Sequence, residues 1–386
     1  MKEIYIKQEN DAKKIYLIED RVILEKHEES IENPMLEGNI YIGKVQNVLP
    51  GMQAAFVNIG SGKNAFIHLK DLLPKIDVTK DPETKNEDIR QIIKPGDPVL
   101  VQVTRDKNYK KGARVTTHIS LTGRFFVYMP NSPFVAVSQK IENEERKQEL
   151  KELVTKILPK DTGGIIRTNC DKAKDEDILE DIKKLVEIWN GLIDGEFTQY
   201  PKEIYNNGGI IKKYIIDNLD KNLDKIVVCD KNVEKVVKDI LNCENKKIKL
   251  EINDKYLEQY DYENQIRKLE NRKIWSDCGG FITIDKTEAL TAIDVNSGKY
   301  IGKSNFEDTI YIVNKEATIE IARQLRARDI GGIIIIDYID MHIEKNKEDI
   351  VQLMEQEIKK DGSKVQIEGF TKLNLLEMTR KHVYSS

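Results

Sequence analysis

Short apolar runs with a period of two open the chain: Ile4 to Ile6, Ile15 to Ile18 and Val22 to Leu24, separated by polar turns, predict three strands. Three strands cannot bury a core alone. They are expected to pair with sequence much further along, which makes the first unit discontinuous, with other domains inserted into it. Asn33-Pro34 reads as its exit. From Gly38 the positions Ile40, Ile42 and Val45 alternate, the chain turns at Leu49-Pro50-Gly51-Met52, and apolar runs resume at Ala54 to Ile59 and Ala65 to Leu69. After a polar excursion from Lys75 to Asp88, strands at Pro98 to Val103 and Val115 to Leu121 close the unit. Short strands punctuated by Gly and Pro at this spacing predict a small barrel. Residues 141 to 158 and 172 to 190 switch to helical periodicity, with the β-prone Gly164-Ile165-Ile166-Arg167 between them, an α+β pattern that ends at the seam Gly208-Gly209.

The last section begins at Trp275-Ser276-Asp277-Cys278-Gly279-Gly280. Phe281 to Ile284 and Ala289 to Asn296 read as a hairpin around the turn Asp285 to Glu288. A helix is predicted from about Glu307 to Ile330, with Ala317, Ile321 and Leu325 on one face, stopped by Gly331-Gly332. Ile333 to Ile336 follow, four isoleucines that suggest a strand buried on both faces and ending at Asp337.

Length and composition narrow the class. A chain of 386 residues is too long for one core, and 39% hydrophobic with 33% charged residues suits several soluble globular units. No apolar run approaches the ~18 residues of a membrane span, and the strand-like Met1 to Ile6 is unlike a signal peptide, so a cytoplasmic location is expected. Cys170, Cys229, Cys243 and Cys278 form no Cys-x-x-Cys pair, which points to reduced thiols rather than a zinc finger or disulfide framework. The net charge is -4, yet nucleic-acid binding depends on where cations lie. One basic cluster stands out: Arg105, Lys107, Lys110, Lys111 and Arg114, opposed only by Asp106.

Two constellations can carry chemistry. Alternation along Ala289 to Asn296 puts Asp294 and Asn296 on one face, with Ile293 and Val295 toward the core. Asp337 adds a second carboxylate if the two strands are neighbours. Hard divalent cations take oxygen ligands, and Mg²⁺ commonly uses one or two carboxylates beside waters and substrate phosphate. In the barrel, Phe66 and His68 share a face and Phe56 lies on the preceding strand, a display on which bases can stack while the basic run tracks phosphates. Gly60-Ser61-Gly62-Lys63 is not a phosphate loop, because Val57 and Asn64 stand where that pattern needs Gly and Ser or Thr. Arg323, Arg326 and Arg328 read as a solvated helix face.

Longer motifs then suggest a family. Gly38 to Leu69, continuing through Lys70-Asp71-Leu72, resembles an S1 RNA-binding domain. Thr287 to Ser297, Arg323 to Gly332, Ile336 to Met341 and Leu375 to Arg380 together resemble the ribonuclease E/G family over nearly the whole chain. The resemblance implies an α+β multidomain fold: an RNase H-like scaffold in two parts (1–36 and 209–274), interrupted by an S1 barrel of the oligonucleotide-binding type (37–122) and a 5′-sensor (123–208), followed by a DNase I-like catalytic unit (275–386). It implies catalytic Mg²⁺, with Mn²⁺ able to substitute, on Asp294 and Asp337 with Asn296 assisting. RNA contacts are implied at Phe56, Phe66 and Lys111, beside the His68 read from the barrel pattern, and 5′-monophosphate recognition at Arg167 and Thr168 near Val127. Family members continue into a Cys-rich segment that shares zinc between subunits and a small C-terminal domain, whereas the sequence stops at Ser386. Zinc is therefore not expected in this chain, and a homodimer would have to form without it.

The function expected is Mg²⁺-dependent endonucleolytic cleavage of single-stranded RNA to 5′-phosphate and 3′-hydroxyl ends, stimulated by a substrate 5′-monophosphate, in RNA decay or ribosomal and transfer RNA processing. The alternative from another class is a non-catalytic S1-type RNA-binding protein with a structural acid pair. A weaker third reading is a phosphodiesterase acting on DNA or a small nucleotide.

Overall fold

The computed structural model describes residues 1–72, 88–107, 111–195, 199–219, 222–243, 247–298 and 306–382, and its content is mixed α+β. The chain divides into two compact units, Met1–Asn33 together with Asn222–Ser386, and Pro34–Lys221. Among the described residues, no helix is long and apolar enough to cross a membrane.

In the first unit, strands Lys2–Gln8, Ala12–Glu19 and Val22–Ser30 form an antiparallel meander. The first of them also pairs in parallel with Lys225–Val228, Ile4 lying opposite Ile226, and that strand pairs with Lys249–Ile252. Ile4, Tyr5 and Ile6 are consecutively buried because the strand has neighbours on both edges and cover on both faces.

The same unit holds a six-stranded sheet in the order Lys273–Trp275, Phe281–Lys286, Leu290–Asn296, Gly332–Asp337, Leu375–Arg380, Val365–Phe370. Its central pair is parallel and needs a crossover, which the helix Phe306–Ala327 supplies. Ile282, Ile293, Val295, Ile334, Ile336, Leu376 and Met378 pack from one sheet face against Val313, Ala317, Ile321 and Leu325 of that helix and Ile350 and Met354 of the helix Glu344–Ile358.

Three expectations change. The isoleucine strand is buried on one face only: Ile334 and Ile336 are enclosed, while Ile333 is 50% exposed. The helices cover a single side, so the alternate positions, which carry Asp294 and Asp337, stay open. The long helix ends at Ala327 rather than at Ile330, because Asp329 adopts a left-handed φ of 46° and the Ile330 N–H returns to the Leu325 carbonyl at 2.9 Å. The helix arginines are not a uniformly solvated face: Arg326 pairs with Glu25 at 2.7 Å, and Arg328 donates to Gln324 at 2.6 Å and to the Asn271 carbonyl at 2.9 Å. Of the three, only Arg323 is exposed.

In the second unit, Ile40–Leu49, Ala54–Asn58, Ala65–His68, Arg114–Thr116 and Pro98–Arg105 pair in that order, and the last pairs back to the first, which closes a small barrel. Val45, Val57, Ile67, Val101, Val103 and Val115 fill it. The closure is tight where Ala113 meets Phe66: a Cβ on Gly112 would overlap the Asn64 carbonyl. Gly60 and Gly62 both take positive φ in the strand connection at 59–64, where glycine avoids the steric cost. The strand Lys202–Tyr205 adds to the outer edge of Ile40–Leu49.

The unit also contains a four-stranded sheet in the order Val135–Val137, Gly163–Ile166, Phe126–Met129, Leu121–Thr122. Helices Glu144–Ile157 and Asp175–Ile193 bury Leu150, Val154, Ile178 and Ile182 with Phe126, Tyr128 and Ile166. These helices sit within three residues of their predicted limits, since their apolar spacing directly marks the buried face.

Candidate functional site

Register places the acid pair. In the parallel ladder Asp294 lies directly opposite Asp337, and across the antiparallel neighbours the same row runs Thr283, Asp294, Asp337, Leu375. Residues paired this way share a sheet face. The two carboxylates therefore stand side by side on the open side, while Ile293 and Ile336 anchor the backbone beneath them. The Asn296 amide donates to the Asp294 carboxylate. Burial first, then the charges of Asp294 and Asp340, hold the Asp337 carboxyl above the usual carboxylate range. The neighbouring like charges thus add to burial in disfavouring ionisation of Asp337.

The segment after Asp337 is fixed from below. Asn314, buried on the long helix, donates to the Ile339 carbonyl at 2.8 Å and accepts the Ile339 N–H at 3.2 Å. Thr318, one turn on, meets the Tyr338 hydroxyl at 2.9 Å. These contacts satisfy polar groups in the core and set the path of the chain that carries Asp340. Sequence reasoning missed Asn314, Thr318 and Asp340. The available signal was a polar i, i+4 pair on an otherwise apolar helix stripe and a second acid three residues beyond the strand end.

Among the described residues, no three His, Cys, Asp or Glu side chains gather closely enough to cage a metal. Two adjacent carboxylates with an amide beside them match a different chemistry, a hard cation that keeps several water ligands and takes the rest from substrate phosphate.

On the barrel, Phe56 and Phe66 are cross-strand partners, their rings 6.0 Å apart in an edge-to-face arrangement, and His68 lies opposite Ala54 on the same face. All three side chains are partly exposed. The basic run beside them is less free than the sequence suggests. Arg114, opposite Phe66, pairs with Asp71 at 2.7 Å, and Lys107 donates to the Ser61 carbonyl at 2.9 Å. Asp106 does not oppose the cluster from the surface. It is folded inward, accepts the Leu36 N–H at 2.7 Å, and burial pushes its carboxyl up to about 6. Lys111 lies in the loop just before Ala113, whose carbonyl accepts the Phe66 N–H at 2.7 Å. Lys110 lies outside the described residues.

The remaining set converges on the four-stranded sheet. Val127 lies opposite Ile165, and Arg167 follows two positions on at the same face. Arg167, half-buried, and Thr168, exposed, follow the end of a strand. The Arg167 guanidinium donates to the Gly123 carbonyl at 2.8 Å and to Asp217 at 2.7 Å, and Thr168 meets the Ser138 hydroxyl at 2.9 Å. Arg167 lines a cavity of about 300 Å³ together with Gln102, Ser120, Lys212, Lys213 and Asp217. Asp217 was not anticipated, since it comes from a helix fifty residues further along.

One chain thus carries both a small barrel with a partly exposed aromatic face and a sheet that displays two carboxylates in register. The profile of the S1 RNA binding domain matches residues 36–117, and that of the Ribonuclease E/G family matches residues 120–383. The chain belongs to the ribonuclease E/G family. It is 37% identical over 384 residues to Ribonuclease G of Salmonella typhimurium (strain SL1344), covering 97% of this chain and 78% of that one. It is similar to Ribonuclease G of Escherichia coli (strain K12), 36% identical with the same coverage of both chains. Against Ribonuclease E of Synechocystis sp. (strain ATCC 27184 / PCC 6803 / Kazusa) it is 34% identical, covering 89% of this chain and 52% of that one.

Proposed function

We propose that the protein is a Mg²⁺-dependent endoribonuclease that cuts single-stranded RNA to 5′-phosphate and 3′-hydroxyl ends, faster when the substrate carries a 5′-monophosphate, in RNA decay or stable-RNA processing. The observation that carries this reading is the Asp294–Asp337 pair, in register on the open face of its sheet in a chain that also holds an S1 barrel. Within it, residues 1–36 and 209–274 act as an RNase H-like scaffold and residues 275–386 as a DNase I-like catalytic unit.

Asp294 and Asp337 would hold the cation, which when bound polarises the phosphodiester and lowers the pKa of a coordinated water. Asn296 fixes the orientation of the Asp294 carboxylate through its amide. The covered sheet face keeps both strands rigid, so the carboxylates need little reorganisation. Phe56 and Phe66, with His68 and Lys111, would hold bases and backbone of the single strand on the barrel. Mn²⁺, another hard cation with oxygen preference, is expected to substitute.

The test incubates a 5′-monophosphorylated single-stranded RNA with Mg²⁺ or with chelator and analyses the ends. Internal cleavage with Mg²⁺ alone, leaving 3′-hydroxyls, is expected. Tight binding without cleavage under either condition would favour the non-catalytic RNA-binding alternative.

For the 5′ end, Arg167 is the group able to fork onto a terminal phosphate, with Thr168 supplying a hydroxyl and Val127 packing beside them. Arg167→Ala is expected to reduce the rate advantage of a 5′-monophosphate over a 5′-hydroxyl to near unity while sparing the slower basal cleavage. Paired initial-rate measurements on the two substrates check this. An equal loss on both would point to disruption of the Gly123 and Asp217 contacts instead.

A further inference from the structure

Two aromatic rings and a lysine occupy the edge of the carboxylate sheet. The pairing rows on the open face are Trp275, Phe281, Asn296 and, one step along, Lys273, Thr283, Asp294, Asp337. The intervening Ile274 and Ile282 turn into the core, which fixes the other side chains outward. Trp275 is 53% exposed and lies beside Phe281 on the open side of the sheet. Its ring centroid lies 5.0 Å from that of Phe281 at an interplanar angle of 56°, and the Lys273 Nζ stands 4.2 Å from the Trp275 centroid and 3.4 Å from that of Phe281.

The cluster is held from several directions. Its two strands are joined by a tight turn in which the Ser276 N–H donates to the Gly280 carbonyl at 2.9 Å and the Gly279 N–H to the Ser276 carbonyl at 3.0 Å. Gly298, two residues past Asn296 and at a φ of 57°, lies so close that a Cβ there would stand 3.2 Å from the indole and 3.3 Å from the Phe281 ring. The chain leaving the acid pair is thereby packed onto the rings. Adjacent strands are about 4.8 Å apart, so Phe281 is one spacing from Asn296 and Trp275 about two. The rings thus stand on the same open face as the carboxylates, one row along from Asp294. A cation held against aromatic faces also offsets the repulsion that two carboxylates exert on a polyanion.

We propose that Trp275 and Phe281, with Lys273, form a subsite for the nucleotide that flanks the scissile phosphate, its base stacked on the indole and its phosphodiester drawn to the ammonium. The word scissile rests on the ribonuclease reading above; the stacking does not. An unpaired base has a free π-face, whereas a base in a duplex has both faces occupied, so the subsite favours single strands.

The chain has two tryptophans, Trp189 and Trp275, and Trp189 is packed against the core of the four-stranded sheet. Binding can therefore be read from Trp275 fluorescence in the cleavage-silent Asp294→Asn variant, titrated with a single-stranded RNA decamer and with the matching duplex. The single strand is expected to quench, the duplex to quench little, and the signal to vanish in Asp294→Asn/Trp275→Phe. In cleavage assays Trp275→Ala is expected to raise KM on the order of tenfold, from the strength of one base–aromatic stack, with kcat changed less. Trp275→Phe should recover most of that loss, and an abasic residue beside the cut should give the wild type the KM of Trp275→Ala. Quenching without any cleavage by the wild type would uphold the stacking site and overturn the ribonuclease reading. Cleavage by the wild type with no quenching and an unchanged KM in Trp275→Ala would overturn the subsite and leave the ribonuclease reading standing. Equal quenching by duplex and single strand would also overturn it.

Discussion

Asp294→Asn and Asp337→Asn should each lower kcat on single-stranded RNA by about 10³-fold or more, with RNA affinity changed only slightly. The substitution is nearly isosteric, and both residues lie on an open face, so neither strand loses a core contact. What disappears is a negative charge where two carboxylates meet in register. Binding should persist because the barrel's Phe56–Phe66 face belongs to a separate unit of the chain. Single-turnover rates beside filter-binding affinities separate the two quantities; undiminished cleavage by either variant would remove the acid pair from the mechanism. A second readout needs no metal. In Asp294→Asn, Asp337 loses one of the two charges that raise it, so its carboxyl should titrate lower than in the wild type, as followed by NMR.

Arg380→Ala should unfold the carboxylate-bearing unit more readily, by about 3–5 kcal/mol, the cost of breaking a buried ion pair from one side. Arg380 is 3% exposed. Its guanidinium pairs with Asp361 at 2.7 Å and Asp329 at 2.7 Å, and donates to the Ile330 carbonyl at 2.9 Å. Removing it takes the charged partner from two enclosed carboxylates and a donor from a carbonyl. The residue also lies opposite Gly332, where the strand ending at Asp337 begins, so the damage reaches the site through its backbone. A fall in melting temperature of roughly 10 °C is expected for a unit of this size. Arg380→Lys should restore part of it, since one ammonium cannot fork between both acids. A change within about 1 kcal/mol in Arg380→Ala would show that the cluster contributes little to stability.

Individual elements show what could be read in advance. Helices Glu144–Ile157 and Asp175–Ile193 and the hairpin Phe281–Lys286 with Leu290–Asn296 follow from local apolar period, because the pattern that defines each element is the pattern of its burial. The isoleucine strand misled for the same reason. Four apolar residues in a row say that both faces tolerate isoleucine, not that both are covered, and Ile333 lies on the open side. The helix end was misplaced because the stop is made by Asp329 in a left-handed turn, a role the following glycines more often take. The basic run was over-read, since charges close in sequence met Asp71 and the Ser61 carbonyl only after the barrel had folded.

The sequence by itself determined that Asp294 and Asn296 share a face, that Phe66 and His68 share another, and that long motifs tie the chain to its family. Each is a matter of spacing along one element, where period alone sets direction. Only the tertiary structure decided that Asp294 lies opposite Asp337, that Asp217 reaches Arg167, and that Trp275, Phe281 and Lys273 flank the acid pair. Those are relations between strands and helices distant in sequence. Their register is set by how whole faces pack and ladders pair, which local pattern does not encode.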